Sequence, residues 1–199
     1  MHDPSGDLER LKLALSEQWQ LEDLQIDLAT LRGLQPILRK GGWKATCAIH
    51  LGNPEIRPRI MQVWPGYHDA PIFGLAVDLG STTIAAHLCD LVTGEVVASS
   101  GIMNPQIRFG EDLMSRVSYS MMNAGGAAEM TVAVRAGMNA LFDQIATEAE
   151  IDKIDILDAV FVCNPVMHHL FLGIDPFELG QAPFALATSD ALNLTAAEL

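Results

Sequence analysis

The segment Phe73–Leu91 constrains the fold of this chain more than any other stretch. Phe73-Gly74-Leu75-Ala76-Val77-Asp78 is an apolar run that ends in a carboxylate. Leu79-Gly80-Ser81 reads as a tight turn, and Thr82–Leu91 as a second run of β-branched and apolar residues. Thr93-Gly94 turns the chain again, and Glu95–Ser100 reads as a third short strand. Short apolar runs separated by glycine-containing turns specify an antiparallel meander.

The first turn of this meander carries the chemistry. In Asp78-Leu79-Gly80-Ser81-Thr82-Thr83, Gly80 lets the backbone turn tightly and approach an anion, because it has no Cβ. Ser81, Thr82 and Thr83 supply hydroxyl and backbone N–H donors around it. Asp78, at the end of a buried strand, is placed to hold a hydrated Mg²⁺, which keeps several of its waters. These residues are those of a hairpin that cradles the phosphates of ATP. An ordinary Gly-Ser hairpin turn would look similar in isolation, but the strand before it, the strand after it and the returning third strand favour the phosphate reading. The chain contains no G-x-x-x-x-G-K-[ST] string, which excludes the Walker A loop.

Beyond the meander, Asn104-Pro105 opens a loop. Gly110–Met122 reads as a helix with Glu111 and Asp112 at its dipole-favoured end, and the spacing lets Asp112 pair with Arg116 on a solvated face, with a site-lining or interface role for the two as the alternative. Asn123–Gly126 breaks the chain, Ala127–Glu148 is a long amphipathic helix, and Ile154–Cys163 is a buried strand. Asn164-Pro165 caps a short helix over Val166–Leu172. The order β-β-β-α-α-β-α predicts an α/β fold, one ribonuclease-H-like half of the actin/hexokinase architecture. Asn104 and Gln106, beside Pro105, are expected to fix the loop by hydrogen bonds to backbone, with the nucleotide cleft as the alternative. Asn164 follows a strand end of the kind that borders ligand clefts in α/β folds, and Asn104 and Asn164 are both candidates for the nucleotide site. Adjacent side chains on a helix point ~100° apart, so His168 and His169 are expected to be structural and not joint metal ligands. Met114, Met121, Met122 and Met138 are expected as core filler.

The first 70 residues read as a separate small α+β domain. Ser5 or Asp7 can cap a helix through Gln18, with Leu8, Leu11 and Leu15 on one face. Asp27 caps a second, Leu28–Arg39, with Leu31, Leu34 and Leu38 as its stripe, and Gly41-Gly42 ends it. Strands follow at Trp43–Leu51 and around Ile56–Trp64, joined by a Gly52-Asn53-Pro54 turn. Pro65-Gly66 and Asp69-Ala70-Pro71 mark a boundary, giving domains over 1–70 and 71–199.

Charge narrows the partners. Lys and Arg total 12 against 25 Asp and Glu, a formal net charge of −13. So acidic a surface repels phosphate backbones, so neither nucleic acid nor an anionic membrane is an expected partner, whereas a basic patch on another protein is. No apolar run reaches the ~20 residues of a spanning helix, and the N-terminus shows no secretion signal. Cys47, Cys89 and Cys163 are far apart and lack C-x-x-C spacing, which predicts reduced, mostly buried thiols in a cytoplasmic protein.

Several further blocks complete the pattern: Asn104-Pro105-Gln106-Ile107-Arg108-Phe109-Gly110-Glu111-Asp112, Ser115-Arg116, and Asn164-Pro165-Val166-Met167-His168-His169-Leu170-Phe171-Leu172-Gly173. Asp175-Pro176 and Leu179-Gly180-Gln181-Ala182-Pro183-Phe184 extend it. Read with Gly74–Thr83, the chain resembles the reductive activators of corrinoid proteins, and the small leading unit resembles that family's middle domain. The resemblance implies membership of the actin-like (ASKHA) ATPase superfamily. It also implies ATP-driven transfer of an electron from a 2Fe–2S cluster in a ferredoxin-like domain to the cob(II)amide of a corrinoid methyl-transfer protein, yielding cob(I)amide. ATP and Mg²⁺ are the implied ligands of Asp78, Gly80, Ser81, Thr82 and Thr83, with Asp78 in the catalytic position. A homodimer is expected, with the small unit a candidate interface. No cysteine cluster for 2Fe–2S precedes residue 70, and no second glycine-rich phosphate loop follows Leu172. Thr195-Ala196-Ala197-Glu198 is a capping box that announces a helix just before Leu199. The expectation is therefore a chain that holds the first part of an ATPase domain and hydrolyses ATP poorly alone. Two rivals are a small-molecule kinase of the same superfamily and a non-catalytic assembly module.

Overall fold

The computed structural model describes residues 4–52 and 56–199. It divides into two compact units, Met1–Ala70 and Pro71–Leu199.

The first unit contains α1 (Asp7–Trp19), β1 (Gln25–Ile26), α2 (Leu28–Lys40), β2 (Ala45–His50) and β3 (Arg59–Pro65). Strand β3 lies in the centre of the sheet, parallel to β1 and antiparallel to β2. Leu11, Leu24, Leu34, Leu38, Ile60 and Val63 form its core, with Leu8 and Leu15 packed against them. The Asp27 carboxylate caps α2 by accepting from the Thr30 N–H at 2.6 Å. Two expectations are corrected. Leu31 is exposed, and the inward stripe of α2 is Leu34, Ile37 and Leu38. Neither Ser5 nor Asp7 caps α1. Gly6 occupies the cap position, and the buried Asp7 carboxylate turns to Arg39 Nη1 at 2.7 Å and Arg10 Nη1 at 3.3 Å. The hydrogen bond from Arg39 holds the Asp7 carboxyl below its usual range. Asn53 and Pro54 of the expected turn lie outside the described residues.

The second unit opens with the meander β4 (Phe73–Leu79), β5 (Thr83–Asp90) and β6 (Val96–Met103). The third strand runs three residues past the expected Ser100, pairing Thr83 with Met103. A 3₁₀ turn over Pro105–Phe109 replaces the expected loop, and α3 (Leu113–Met122), α4 (Gly126–Glu148), β7 (Ile156–Cys163) and α5 (Pro165–Leu172) follow. The sheet order is β6-β5-β4-β7, with β7 parallel to β4.

Side-chain alternation decides which face of this sheet is covered. Leu75, Val77 and Leu79 of β4 and Ile84, Ala86 and Leu88 of β5 point to one side. There they meet Met130, Val134, Met138, Leu141 and Ile145, spaced three or four apart along α4, and Val166, Met167 and Leu170 of α5. The opposite face exposes Ala76, Asp78, His87, Ser99, Met103, Val160 and Val162. Strand β7 is therefore not buried on both faces, as its nearly continuous apolar run predicts: Val160 and Val162 are 62% and 60% exposed. Helices cover only one of its faces among the described residues. The methionines divide the same way. Met138 is core, whereas Met114, Met121 and Met122 lie on the exposed side of α3.

Candidate functional site

The strand ends bring the predicted residues to one edge of the sheet. Leu79 pairs with Cys163, so Asn164 follows β7 at the level where Gly80 follows β4. Thr83 pairs with Met103, which places Asn104 beside the same turn. Asp78 is exposed on the open face opposite Ala85, and Thr83 lies on that face two residues earlier on β5. Thr82 and Thr83 are exposed and Ser81 is half-buried.

Gly80 is required by space. A Cβ there would sit 2.6 Å from the Thr83 carbonyl oxygen, a backbone atom that cannot swing aside. The turn is closed too tightly for any side chain at that position.

Three consecutive carbonyls of the turn are held from behind. Asn104 Nδ2 donates to Gly80 O at 2.8 Å, Arg116 Nη2 donates to Ser81 O at 2.5 Å, and the Asn104 N–H donates to Thr82 O at 2.8 Å. A trans peptide directs its N–H opposite to its C=O. With the Gly80 and Ser81 carbonyls anchored inward, the Ser81 and Thr82 N–H groups point outward, away from the core. The turn thus presents the Ser81 and Thr82 N–H groups together on its outer side, oriented donors of the kind that can bind an anion.

The residues that anchor the turn are themselves locked. Asn104 is fully buried, and its Oδ1 accepts from the Gln106 N–H at 2.9 Å. Gln106, also fully buried, donates to Met130 O on α4 at 3.0 Å. Asn104 therefore lies beneath the turn, holding it through the Gly80 carbonyl. Asn164 is half-buried and caps α5, its Oδ1 accepting from the Met167 N–H at 3.0 Å.

Arg116 departs most from expectation. The spacing predicts a surface pair with Asp112, but the Arg116 side chain is fully buried, and no ion pair joins the two among the described residues. Asp112 instead caps α3, accepting from the Ser115 N–H at 2.7 Å, and this bond is the main reason its carboxyl lies below the usual range. Sequence reasoning held a site-lining role for Arg116 only as the alternative to a solvated pair, and did not find its bond to Ser81 O. The one signal was that Ser115-Arg116 stands in a block shared with the resembled family.

Asp78 also acts on its neighbourhood. Burial pushes the Cys163 thiol up, and the Asp78 carboxylate adds to the shift. Burial raises Cys47 to about 11. Both thiols stay protonated and unreactive at neutral pH. All three cysteines are free and half-buried, less buried than expected. The His169 ring is buried, with Nδ1 2.8 Å from Pro165 O and Nε2 accepting from the Ala187 N–H at 3.0 Å. His168 is pushed down by burial and by His169 beside it. No group of three or more His, Cys, Asp or Glu side chains suited to a metal occurs among the described residues. Single-carboxylate contact from Asp78 through water is what the donor set offers a Mg²⁺, together with the oxygens of a phosphate.

An α/β sheet of this order, preceded by a small α+β unit, is an actin-like half-domain with its leading module. The chain belongs to the RACo family, the reductive activators of corrinoid proteins: residues 1–70 match the RACo linker region and residues 73–199 the RACo middle region. The small unit is thus the linker, where the resemblance had implied the middle domain. The chain is 30% identical over 169 residues to the corrinoid activation enzyme RamQ of Eubacterium limosum, covering 84% of this chain and 28% of that protein. A solved reductive activator for corrinoid, iron-sulfur protein matches 100% of the chain at 34% identity and a TM-score of 0.85. The chain spans 28% and 31% of the lengths of these two relatives.

Proposed function

We propose that this protein takes part in the ATP-dependent reductive activation of a corrinoid methyl-transfer protein. In this reading one electron converts cob(II)amide to the cob(I)amide nucleophile, and a 2Fe–2S ferredoxin domain outside residues 1–199 is its source. The observation that carries the reading is the match of the whole chain to a solved corrinoid activator at a TM-score of 0.85. The outward donors of the Gly80–Thr82 turn support the nucleotide part of it. Bound ATP with Mg²⁺ would supply the free energy for an uphill electron transfer.

The residues of this chain have separate tasks in that scheme. Asp78 orients the waters of the metal from the open face. The Ser81 and Thr82 N–H groups, with the Ser81, Thr82 and Thr83 hydroxyls, hold phosphate oxygens. Asn104 holds the turn through the Gly80 carbonyl, and Asn164 caps α5 where β7 ends. A cytoplasmic homodimer completes the reading. Sedimentation at micromolar concentration tests the dimer, and a monomer there counts against it.

The decisive experiment mixes the intact protein and its reduced ferredoxin domain with a corrinoid protein in the cob(II) state. Formation of cob(I)amide is followed by its absorbance, with and without Mg-ATP. Formation that requires Mg-ATP supports the proposal, and equal formation without nucleotide overturns it.

A further inference from the structure

The Arg116 guanidinium has neutral hydrogen-bond partners. Nη2 donates to Ser81 O, Nε to Gly110 O at 3.0 Å, and Nη1 to Gln106 Oε1 at 3.4 Å and Met167 Sδ at 3.2 Å. Three carbonyl groups and a thioether satisfy its donors without neutralising its charge. Guanidinium stays protonated in proteins, so this is a permanent cation in a fully buried position. A buried cation without a counter-ion is unfavourable, and such groups are ordinarily paired. Asp112 attracts it through space, but burial is the larger influence and pushes Arg116 below its ordinary value. The charge balance of this site is incomplete.

The geometry shows where the balance can come from. Arg116 donates to Ser81 O, and the same peptide unit presents the Thr82 N–H on its far side. Hydrogen bonds in series polarise one another, so a cation on the carbonyl makes the N–H a stronger donor. An anion on that N–H would lie roughly 7–8 Å from the guanidinium, counting one hydrogen bond, one peptide and a second hydrogen bond.

We propose that Arg116 is a positioning residue that works through the Ser81–Thr82 peptide, and that a phosphate oxyanion on the outer side of the turn is its counter-charge. The inference rests on the phosphate-binding reading of the turn and deepens it. The guanidinium touches no ligand. It sets the carbonyl that aims the donor, and its field completes the charge of the bound state. Across 7–8 Å at the dielectric typical of a pair near a protein surface, this contribution is about 30- to 50-fold in affinity per unit of ligand charge.

The test uses the intact protein, with ADP and inorganic pyrophosphate as probes in calorimetric titrations at fixed low salt. Arg116→Gln keeps donors for the carbonyl and removes the charge, whereas Arg116→Lys keeps the charge. The expected result is weakening of both probes by about 30-fold or more in Arg116→Gln, and by less than about threefold in Arg116→Lys. A purely structural arginine would lower the melting temperature of both variants without separating their affinities. Equal binding by wild type and Arg116→Gln overturns the inference and leaves the phosphate site standing. Absence of binding by the wild type overturns the phosphate site itself, and the inference with it. If Arg116→Gln does not fold, the wild-type Arg116 Nε–H resonance decides: it is expected to shift on saturation with pyrophosphate, and an unmoved resonance overturns the inference.

Discussion

Asn104 Nδ2 reaches across 24 residues of sequence to donate to Gly80 O at 2.8 Å, tying the end of β6 to the turn that ends β4. The same side chain accepts from the Gln106 N–H. One amide thus spans the β5–β6 hairpin and starts the 3₁₀ turn that follows. Asn104→Ala leaves a carbonyl and an N–H without these partners in a fully buried site. Each such orphan costs about 1–3 kcal/mol. Urea denaturation should show a loss of stability of about that size. ADP affinity should fall as well, because the turn is no longer held.

Gly80→Ala places a methyl group 2.6 Å from Thr83 O, so the turn must open. The expected cost is about 1–3 kcal/mol, with loss of nucleotide binding in an ADP titration. Gly94→Ala is the control. Gly94 has φ +78° and open space around its Cβ position. That change should cost about 1 kcal/mol in backbone strain and leave ADP binding intact.

Asp78 is exposed, so Asp78→Ala should alter stability by less than about 0.5 kcal/mol. It should nonetheless abolish Mg-ATP-dependent activation of the corrinoid protein. A thermal melt alongside the activation assay checks both halves, and unchanged activation would remove Asp78 from the site.

Asp7 makes stability depend on acid. Its carboxyl in the folded protein lies below the usual 3.8, chiefly because Arg39 donates to it. A carboxyl depressed on folding contributes stability above its unfolded pKa and loses it as pH falls through the folded value. Asp7→Asn should therefore be less stable than wild type at neutral pH. The gap should close as pH falls below about 3.8 in a series of urea melts. A gap that stays constant over that range would rule out the ionic contribution.

Much of the architecture was legible residue by residue. The meander from Phe73, the boundary near residue 70 and the two-helix, strand, helix succession all follow from apolar runs broken by glycine and proline. Caps were the most dependable local signals. Asp27 and Asn164, both read as caps, each accept from the N–H three residues on, whereas Asp112, read as lying inside its helix, is the cap of α3. Asp7 shows where that logic stops. It has a capping residue's chemistry, but Arg39, 32 residues away, competes successfully for its carboxylate.

The candidate site divides along the same line. Asp78, Gly80, Ser81, Thr82 and Thr83 could be picked out from a six-residue string, because a turn between two strands is built from neighbours and glycine is demanded by local space. Which face of β7 is covered, and what stands behind the turn, could not be picked out. An apolar run does not say how many faces will be packed, and an i,i+4 acid–base pair looks the same whether its arginine lies on the surface or in the core. Arg116 bonds Ser81 across 35 residues and Met167 across 51. Such contacts exist only once sheet and helices have closed on one another. The composition of the candidate turn was therefore written in the chain, while the aim of its donors and the cation behind them came from packing. Backbone turns are governed by neighbouring residues, but the field at a site is set by whatever charge the fold buries beside it.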